Sequence, residues 1–373
     1  MLEKRGRVWL EIDLAILKDN YRKIKETVDP CEVMAVLKAN AYGLGVERVA
    51  KALAESGVKH FGVAELNEAL ALARNGLRTQ IIGSVLPEEV PSAVDAGIVL
   101  PVTDYEIAAM ISAAAVRMNK KAECHIKVDT GMGRLGILAD QAVEEVKKIA
   151  ALPGLDLGGI YSHFPIAYLA GGDFTQSQVS RFLRILDELK SVGINFRWLH
   201  IANSDAINNV PVTCLKPFNL VRSGINLYGT FDLVGKHILK LRSILTLKTQ
   251  LAAIRQLPAG MAIGYGQTYR LHCDTRVGTV SAGYADGLPL ALSNRGYVLI
   301  HGKPCPILGR LSMDYTTVSL ESVPEAKRGD EVVCLGGEGV NAIGVEDWAT
   351  LKGTHPYDII CSFGSRVKRV YHE

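Results

Sequence analysis

The stretch Glu32-Val33-Met34-Ala35-Val36-Leu37-Lys38-Ala39-Asn40-Ala41-Tyr42-Gly43 decides how the rest of the chain is read. Val33–Leu37 is an unbroken apolar run, the pattern of a short buried strand, and Lys38 stands at its C-terminal end. After a turn of small residues, Val46, Val49, Ala50 and Leu53 fall at i, i+3, i+4 and i+7. This spacing predicts an amphipathic helix that Gly57 closes. Strand, turn and helix make the repeating unit of parallel α/β proteins, which bind ligands at the C-terminal ends of their strands. A lysine placed there is half desolvated, and burial lowers its pKa toward the neutral amine that attacks carbonyls. The commoner arrangement is a lysine whose stem packs at a strand end while its head stays wet. The remainder of the chain has to decide between the two.

Working outward, the same unit recurs. Apolar runs at Val33–Leu37, His60–Ala64, Gln80–Val85, Ile98–Val102, Ala122–Val128, Leu155–Tyr161, Phe196–Ala202 and Phe218–Val221 give eight expected strands, with helical patterns between most of them. One such pattern, Val179, Phe182, Leu183, Leu186 and Leu189, is closed by Gly193. Eight strand–helix units predict an α/β fold, an N-terminal (β/α)8 TIM-type barrel over residues 1–237. An earlier strand at Val8–Ile12, followed by a helix carrying Leu14, Leu17 and Tyr21, is left over from the eight and available to pair with the C-terminal part. Near residue 240 the pattern changes. Val277–Ser281, Val298–His301, Thr316–Leu320 and Glu331–Leu335 are short β-type runs separated by Gly, Pro and Asp, and they predict a mostly β C-terminal domain over residues 238–373.

Composition narrows the function classes. Of 373 residues 48% are hydrophobic and 22% charged, and a formal charge of +3 spread along the chain calls for neither nucleic acid nor an anionic membrane as partner. No apolar run is long enough to span a bilayer. Seven scattered cysteines, none in a Cys-x-x-Cys pair, point to reduced thiols in a cytoplasmic protein and to no metal site.

The unusual residues collect just past the expected strand ends. In Cys124-His125-Ile126-Lys127-Val128-Asp129, alternation puts His125, Lys127 and Asp129 on one face. Thr130-Gly131-Met132-Gly133-Arg134-Leu135-Gly136 follows, with glycines that let the backbone fold tightly and bring Arg134 over the barrel mouth, where a guanidinium suits a carboxylate. His163 ends the next strand. Ser204 and the Arg222-Ser223-Gly224-Ile225 stretch lie after the last two strands, where barrels commonly hold phosphate; Ser204 serves equally as a helix N-cap. In Gly264-Tyr265-Gly266 the flanking glycines leave a phenol little cover. A lysine, a phenol, an arginine for a carboxylate and a phosphate site together point to pyridoxal 5'-phosphate.

At these residues the chain resembles the bacterial alanine racemases, the barrel-plus-β-domain class of pyridoxal-phosphate enzymes, over essentially its full length. The motifs that carry the resemblance are Ala35–Gly43, Lys127–Gly136, His200–Ser204, Arg222–Ile225, Gly264–Gly266, Gly283-Tyr284-Ala285-Asp286-Gly287 and Met313-Asp314. The resemblance implies an isomerase that interconverts L-alanine and D-alanine, for D-alanine supply, as a cytoplasmic homodimer with shared active sites. Lys38 matches the lysine that carries the cofactor and serves as one of two acid/base groups. Tyr265 matches the other, reaching into the neighbouring subunit's barrel. Arg222 matches the arginine facing the pyridine nitrogen, His163 the histidine linking it with Tyr265, and Arg134 the ligand of the substrate carboxylate. Tyr42, Ser204, Gly224, Ile225 and Tyr357 match the phosphate cradle. Lys127 matches a lysine that is often carbamylated and holds the carboxylate-binding arginine, and Tyr284 and Met313 match second-subunit contributions to the substrate entrance and pocket. Departures occur at Leu44, Phe164-Pro165-Ile166, Leu290 and Ser312. None removes a reacting group, but those beside His163 and Met313 bear on pocket shape. A racemase preferring serine or another small amino acid therefore stays open, as does a non-catalytic pyridoxal-phosphate homeostasis protein, although that class resembles the barrel alone.

Overall fold

The computed structural model describes residues 6–169 and 172–373, in two compact units. One is Lys18–Leu227 with Val234–Leu241; the other joins the chain up to Leu17 to Tyr228–Leu233 and Arg242–Glu373. Strand β1 (Trp9–Asp13) belongs to the second of these.

The first unit is the barrel. Strands β2 (Glu32–Val36), β3 (His60–Val63), β4 (Thr79–Ile81), β5 (Leu100–Val102) and β6 (Ala122–Asp129) are followed by a short rung, β7 (Ile137–Leu138), beside the end of β6. Then come β8 (Leu155–Tyr161), β9 (Trp198–His200) and β10 (Leu220–Ser223). Parallel ladders run β10-β2-β3-β4 and β5-β6-β8-β9. Backbone bonds join the two arcs: the Ile81 N–H donates to Val99 O at 3.0 Å, and the Asn219 and Arg222 N–H groups donate to Leu199 O and Ala202 O at 3.1 and 3.0 Å. The ring of eight parallel strands is thereby closed, as the repeated apolar runs predict. The outer helices bury one stripe each. In Val46–Glu55 the buried residues are Val46, Val49, Ala50, Ala52 and Leu53, and Glu47 sits in the first turn, where the helix dipole favours a carboxylate.

In the second unit β1 lies between the antiparallel β11 (Leu245–Leu257) and a parallel C-terminal strand, Lys368–His372. Beyond β11 come β12 (Ala262–Ile263), β13 (Tyr269–Arg270), β14 (Thr275–Val280), β15 (Tyr297–Ile300), β16 (Lys303–Pro306), β17 (Thr316–Ser319) and β18 (Glu331–Leu335). Strand β11 pairs with β1, β14 and β18, so it organises this unit.

Candidate active site

Lys38 follows β2 directly, and the backbone after it is unusual. Ala39, Asn40, Ala41 and Tyr42 all have φ between 54° and 58°, one turn of left-handed helix made without a glycine. Each such residue costs about 1–2 kcal/mol for an L-amino acid. The turn is held by its own hydrogen bonds, Ala41 N–H to Leu37 O at 2.8 Å and Gly43 N–H to Ala39 O at 2.7 Å. It is also held by Glu68, whose carboxylate accepts from the Asn40 N–H at 2.8 Å and the Ala64 N–H at 3.1 Å. Strain concentrated beside one lysine, and over-determined by its surroundings, is typical of functional positions.

A carboxylate builds the loop after β6. Asp129 is buried, and its two oxygens accept from the N–H groups of Gly131, Met132, Gly133 and Arg134 at 2.8, 2.8, 2.8 and 3.1 Å. The chain wraps around that one anion and presents Arg134. Two residues earlier on the same face, Lys127 donates to Ile82 O at 3.0 Å and is 5% exposed. Burial first, then the charges of Arg222 and Arg134, pull its pKa down to about 8.

Arg222, from β10, is fully enclosed. Its Nη2 donates to Ser162 O at 2.8 Å and Ile201 O at 3.1 Å and lies 3.3 Å from His163 Nδ1. Burial lowers its pKa to about 10, which leaves it charged at neutral pH. His163 is held far below the ordinary histidine range, by burial and then by Arg222 and Arg134, so its imidazole is neutral. Farther along the mouth, the Gly224 N–H donates to Ser204 Oγ at 3.0 Å, and a Cβ on Gly224 would run into the Tyr42 hydroxyl. Ile225 follows, fully buried. The N-cap of the helix Ser204–Asn209 is Asn203, whose Oδ1 accepts from the Ala206 N–H, so the capping reading of Ser204 is set aside and its hydroxyl belongs with Gly224.

Lys38, Lys127, Arg134 and Arg222 line one cavity of about 220 Å³ together with His163 and Tyr161, and no carboxylate is among its lining residues. Four cationic side chains around a void of this size call for an anionic guest. The chain matches the family model for the alanine racemase N-terminal domain over residues 12–232 and that for the C-terminal domain over 244–371. The chain belongs to the alanine racemase family. It is 39% identical over 370 residues to the alanine racemase of Desulforamulus reducens, covering 98% of each chain. The alanine racemase structure from Clostridium difficile 630 superposes with a TM-score of 0.92 at 33% identity, over 100% of this chain and 97% of that one. The structure from Bartonella henselae, described with covalently bound pyridoxal phosphate, superposes with a TM-score of 0.87 at 30% identity, over 98% and 100%.

Membership brings the activity class and the cofactor: an amino-acid racemase, hence an isomerase, working through pyridoxal phosphate. The residues fit that group. The cavity offers a lysine for an aldehyde and fixed cations for anions, and Gly224, Ser204 and Tyr42 form a niche with no room for a side chain at Gly224.

For a member of the alanine racemase family the remaining candidates lie in the second unit. Tyr265 is 71% exposed on a short turn between Gly264 and Gly266, both with positive φ. Tyr284 and Met313 are also exposed, on two turns tied together by the Tyr284 N–H to Ser312 O and the Ala285 N–H to Met313 O, each at 3.1 Å. Tyr357 is half-buried in the helix Pro356–Ile360, with its ring against His355. The two turns are clamped by a residue the sequence reading passed over. Arg366 bonds both oxygens of the buried Asp286, at 2.7 and 2.9 Å, and Asp314 at 2.9 Å. Glu68 was likewise passed over, since only tertiary folding brings it to Asn40.

Proposed function

We propose that the chain interconverts L-alanine and D-alanine by moving the Cα proton between two of its own groups, Lys38 on one face and Tyr265 on the other. In this reading it acts as a homodimer in which Tyr265, Tyr284 and Met313 come from the second copy. The observation that carries the reading is the cation-lined cavity with Lys38 in its wall and no carboxylate among its lining residues. Pyridoxal phosphate, when bound, draws electrons from Cα and so makes its hydrogen acidic enough to move.

The chain does the rest. Arg134, held out by the Asp129 loop, takes the alanine carboxylate and fixes which way Cα faces. The amine of Lys38 takes or returns the proton on one side, and the phenol of Tyr265 does the same on the other. Arg222 stays charged and would donate toward the cofactor's pyridine nitrogen, with neutral His163 beside it on the side where Tyr265 of a second copy would enter. Tyr42, Ser204, Gly224, Ile225 and Tyr357 receive the phosphate. Lys127, with a pKa drawn toward neutrality, has the free-amine fraction that carbon dioxide needs to form a carbamate, which would then face Arg134. The exposure of Tyr265, Tyr284 and Met313 supports a second protein surface over them. We place the enzyme in the cytoplasm: all seven cysteines are free thiols, and no helix among the described residues is long and apolar enough to cross a membrane.

Alanine and serine, each incubated with purified protein and pyridoxal phosphate, are separated by chiral chromatography. Alanine should reach the racemate while serine lags, by a margin of at most about a hundredfold if apolar fit alone rejects the hydroxyl. Faster serine racemisation would replace the substrate, and no racemisation of either would defeat the reading.

A further inference from the structure

Barrel interiors are usually filled by layers of branched aliphatic side chains. Here a column of polar groups runs through the middle. His125 on β6 and His200 on β9 are fully buried, with His125 Nδ1 3.0 Å from His200 Nε2. The remaining nitrogen of His200, Nδ1, lies 2.9 Å from Arg222 Nη1. The remaining nitrogen of His125, Nε2, faces the Glu123 carboxylate at 3.9 Å, close enough for attraction though too far for a good hydrogen bond. Glu123 sits at the N-terminal end of β6, away from the cavity, where it pairs with Arg78 and Arg197, and Arg197 pairs with Asp156. Tyr161 stacks on His200 with ring centroids 4.8 Å apart, its hydroxyl turned to Ile82 O.

The Arg222 end of this column fixes every proton in it. A guanidinium only donates, so His200 Nδ1 must accept. A neutral His200 then carries its hydrogen on Nε2 and donates it to His125 Nδ1. A neutral His125 in turn carries its hydrogen on Nε2, the side that faces the Glu123 carboxylate at 3.9 Å with no hydrogen bond between them. An imidazolium at either position would set two donors against each other, and burial disfavours it as well, holding both histidines below their ordinary range.

We propose that His200 and His125, with the Glu123 carboxylate facing His125, are positioning residues for Arg222. The two histidines form a one-way relay through the barrel interior to the cavity, which locks the guanidinium plane and keeps Arg222 a donor toward the guest. The direction of the relay stands on geometry alone; its effect on turnover rests on the function proposed above. The outcomes therefore separate. Imidazole nitrogen NMR on the holoenzyme, labelled with nitrogen-15 histidine, should find His125 and His200 each as the Nε2–H tautomer, unchanged from about pH 6 to 9. An Nδ1–H tautomer or an imidazolium at either would overturn the relay, whatever the enzyme does to alanine. His125→Leu removes the acceptor for His200, whereas His125→Asn keeps an oxygen near the place of Nδ1. The Leu variant should leave the His200 Nε2–H without its acceptor and move that nitrogen's signal, shift the visible band of the bound cofactor, and lower kcat about tenfold with little change in KM. The Asn variant should recover most of each. Equal losses in both variants, or an unchanged cofactor band and kcat in the Leu variant, would reduce the column to packing. If the Leu chain does not fold, the tautomers of the wild-type and Asn proteins still decide.

Discussion

Most candidate residues of the barrel and those of the β unit live under different conditions, although Lys38 and Arg134 are themselves exposed. In the barrel Lys127 and Arg222 are buried, His163 is held neutral by burial and its neighbours, and a loop is wound around the buried Asp129 to present Arg134. In the β unit Tyr265, Tyr284 and Met313 are 71%, 45% and 53% exposed. The first set is preorganised: Lys127, Asp129, His163 and Arg222 have hydrogen-bond partners, and the left-handed turn after Lys38 is held within the unit. The second set consists of large side chains with apolar surface in water, displayed on turns that are themselves well pinned. A protein that holds such turns rigid while leaving their side chains uncovered is built to meet another surface. On the reading proposed above, half of the chemistry is complete within one barrel and a second copy supplies the other half.

The largest effect should come from removing the lysine of the preorganised half. Lys38→Ala should abolish both racemisation and the visible absorbance of bound cofactor, read by spectrophotometry before and after dialysis. A retained band that borohydride still fixes to protein would mean that another lysine holds the cofactor. The second copy's half is tested by complementation. Lys38→Ala and Tyr265→Ala chains should each be inactive and, mixed under conditions that exchange subunits, should regain part of the wild-type activity, because each mixed dimer has one intact site. No recovery, with mixed dimers confirmed by mass spectrometry, would put Tyr265 in its own subunit's site or outside catalysis.

The same contrast explains what the sequence makes legible. Lys38, Arg134, His163, Ser204 and Arg222 stand out because each lies at or just past an apolar run, and strand ends are visible in local periodicity. The left-handed turn at Ala39–Tyr42 is not visible, because none of these residue types except Asn40 favours positive φ. Its holder, Glu68, is distant in sequence. The reading credits the loop after β6 to its glycines, yet the carboxylate of Asp129 is what the backbone wraps around, and a turn-forming Asp has no local signature apart from a glycine-rich successor. Strand β11 is missed although Leu245, Leu247 and Leu251 are buried at even spacing, since Ala252, Ala253 and Ile254 blur the alternation where a register shift falls. The polar column is half legible: one face of β6 carries His125, Lys127 and Asp129, but its partners His200 and Arg222 arrive by barrel closure.

A middle-sized effect separates the two pinned loops. Asp129→Ala leaves four N–H groups without their common acceptor, and hydrogen bonds to charged groups are worth about 1.5–3 kcal/mol each. Losing one bond's worth of positioning at Arg134 should lower kcat/KM for alanine about a hundredfold, mostly through KM. Arg366→Ala unpins the turns that carry Tyr284 and Met313, but its side chain is half exposed, so the loss should be smaller, about three- to tenfold in kcat/KM. Steady-state kinetics on both variants checks the order. A larger loss at Arg366 than at Asp129 would mean that the β unit, not the barrel, limits substrate placement.

The smallest effect concerns Lys127, the most conditional charge in the preorganised half. Its pKa of about 8 in the folded chain lies below the ordinary lysine value of 10.5. Between these two values the unfolded chain holds a proton that the folded chain has released, so stability rises with pH across that window. Below pH 8 the buried ammonium imposes its full cost, roughly 3 kcal/mol from a difference of 10.5 − 8 = 2.5 units. Lys127→Met carries no such cost at any pH. In cofactor-free protein kept clear of carbon dioxide, the stability of the wild type relative to this variant should therefore climb from about pH 8 to about pH 10.5, read by urea unfolding at each pH. A carbamate on Nζ has also shed that proton while the unfolded lysine keeps it, so bicarbonate should raise the wild type's stability and start the climb at lower pH. A flat difference without bicarbonate would show that Lys127 keeps an ordinary pKa and that Arg222 and Arg134 do not press on it; a climb that bicarbonate leaves untouched would remove carbamylation from the site.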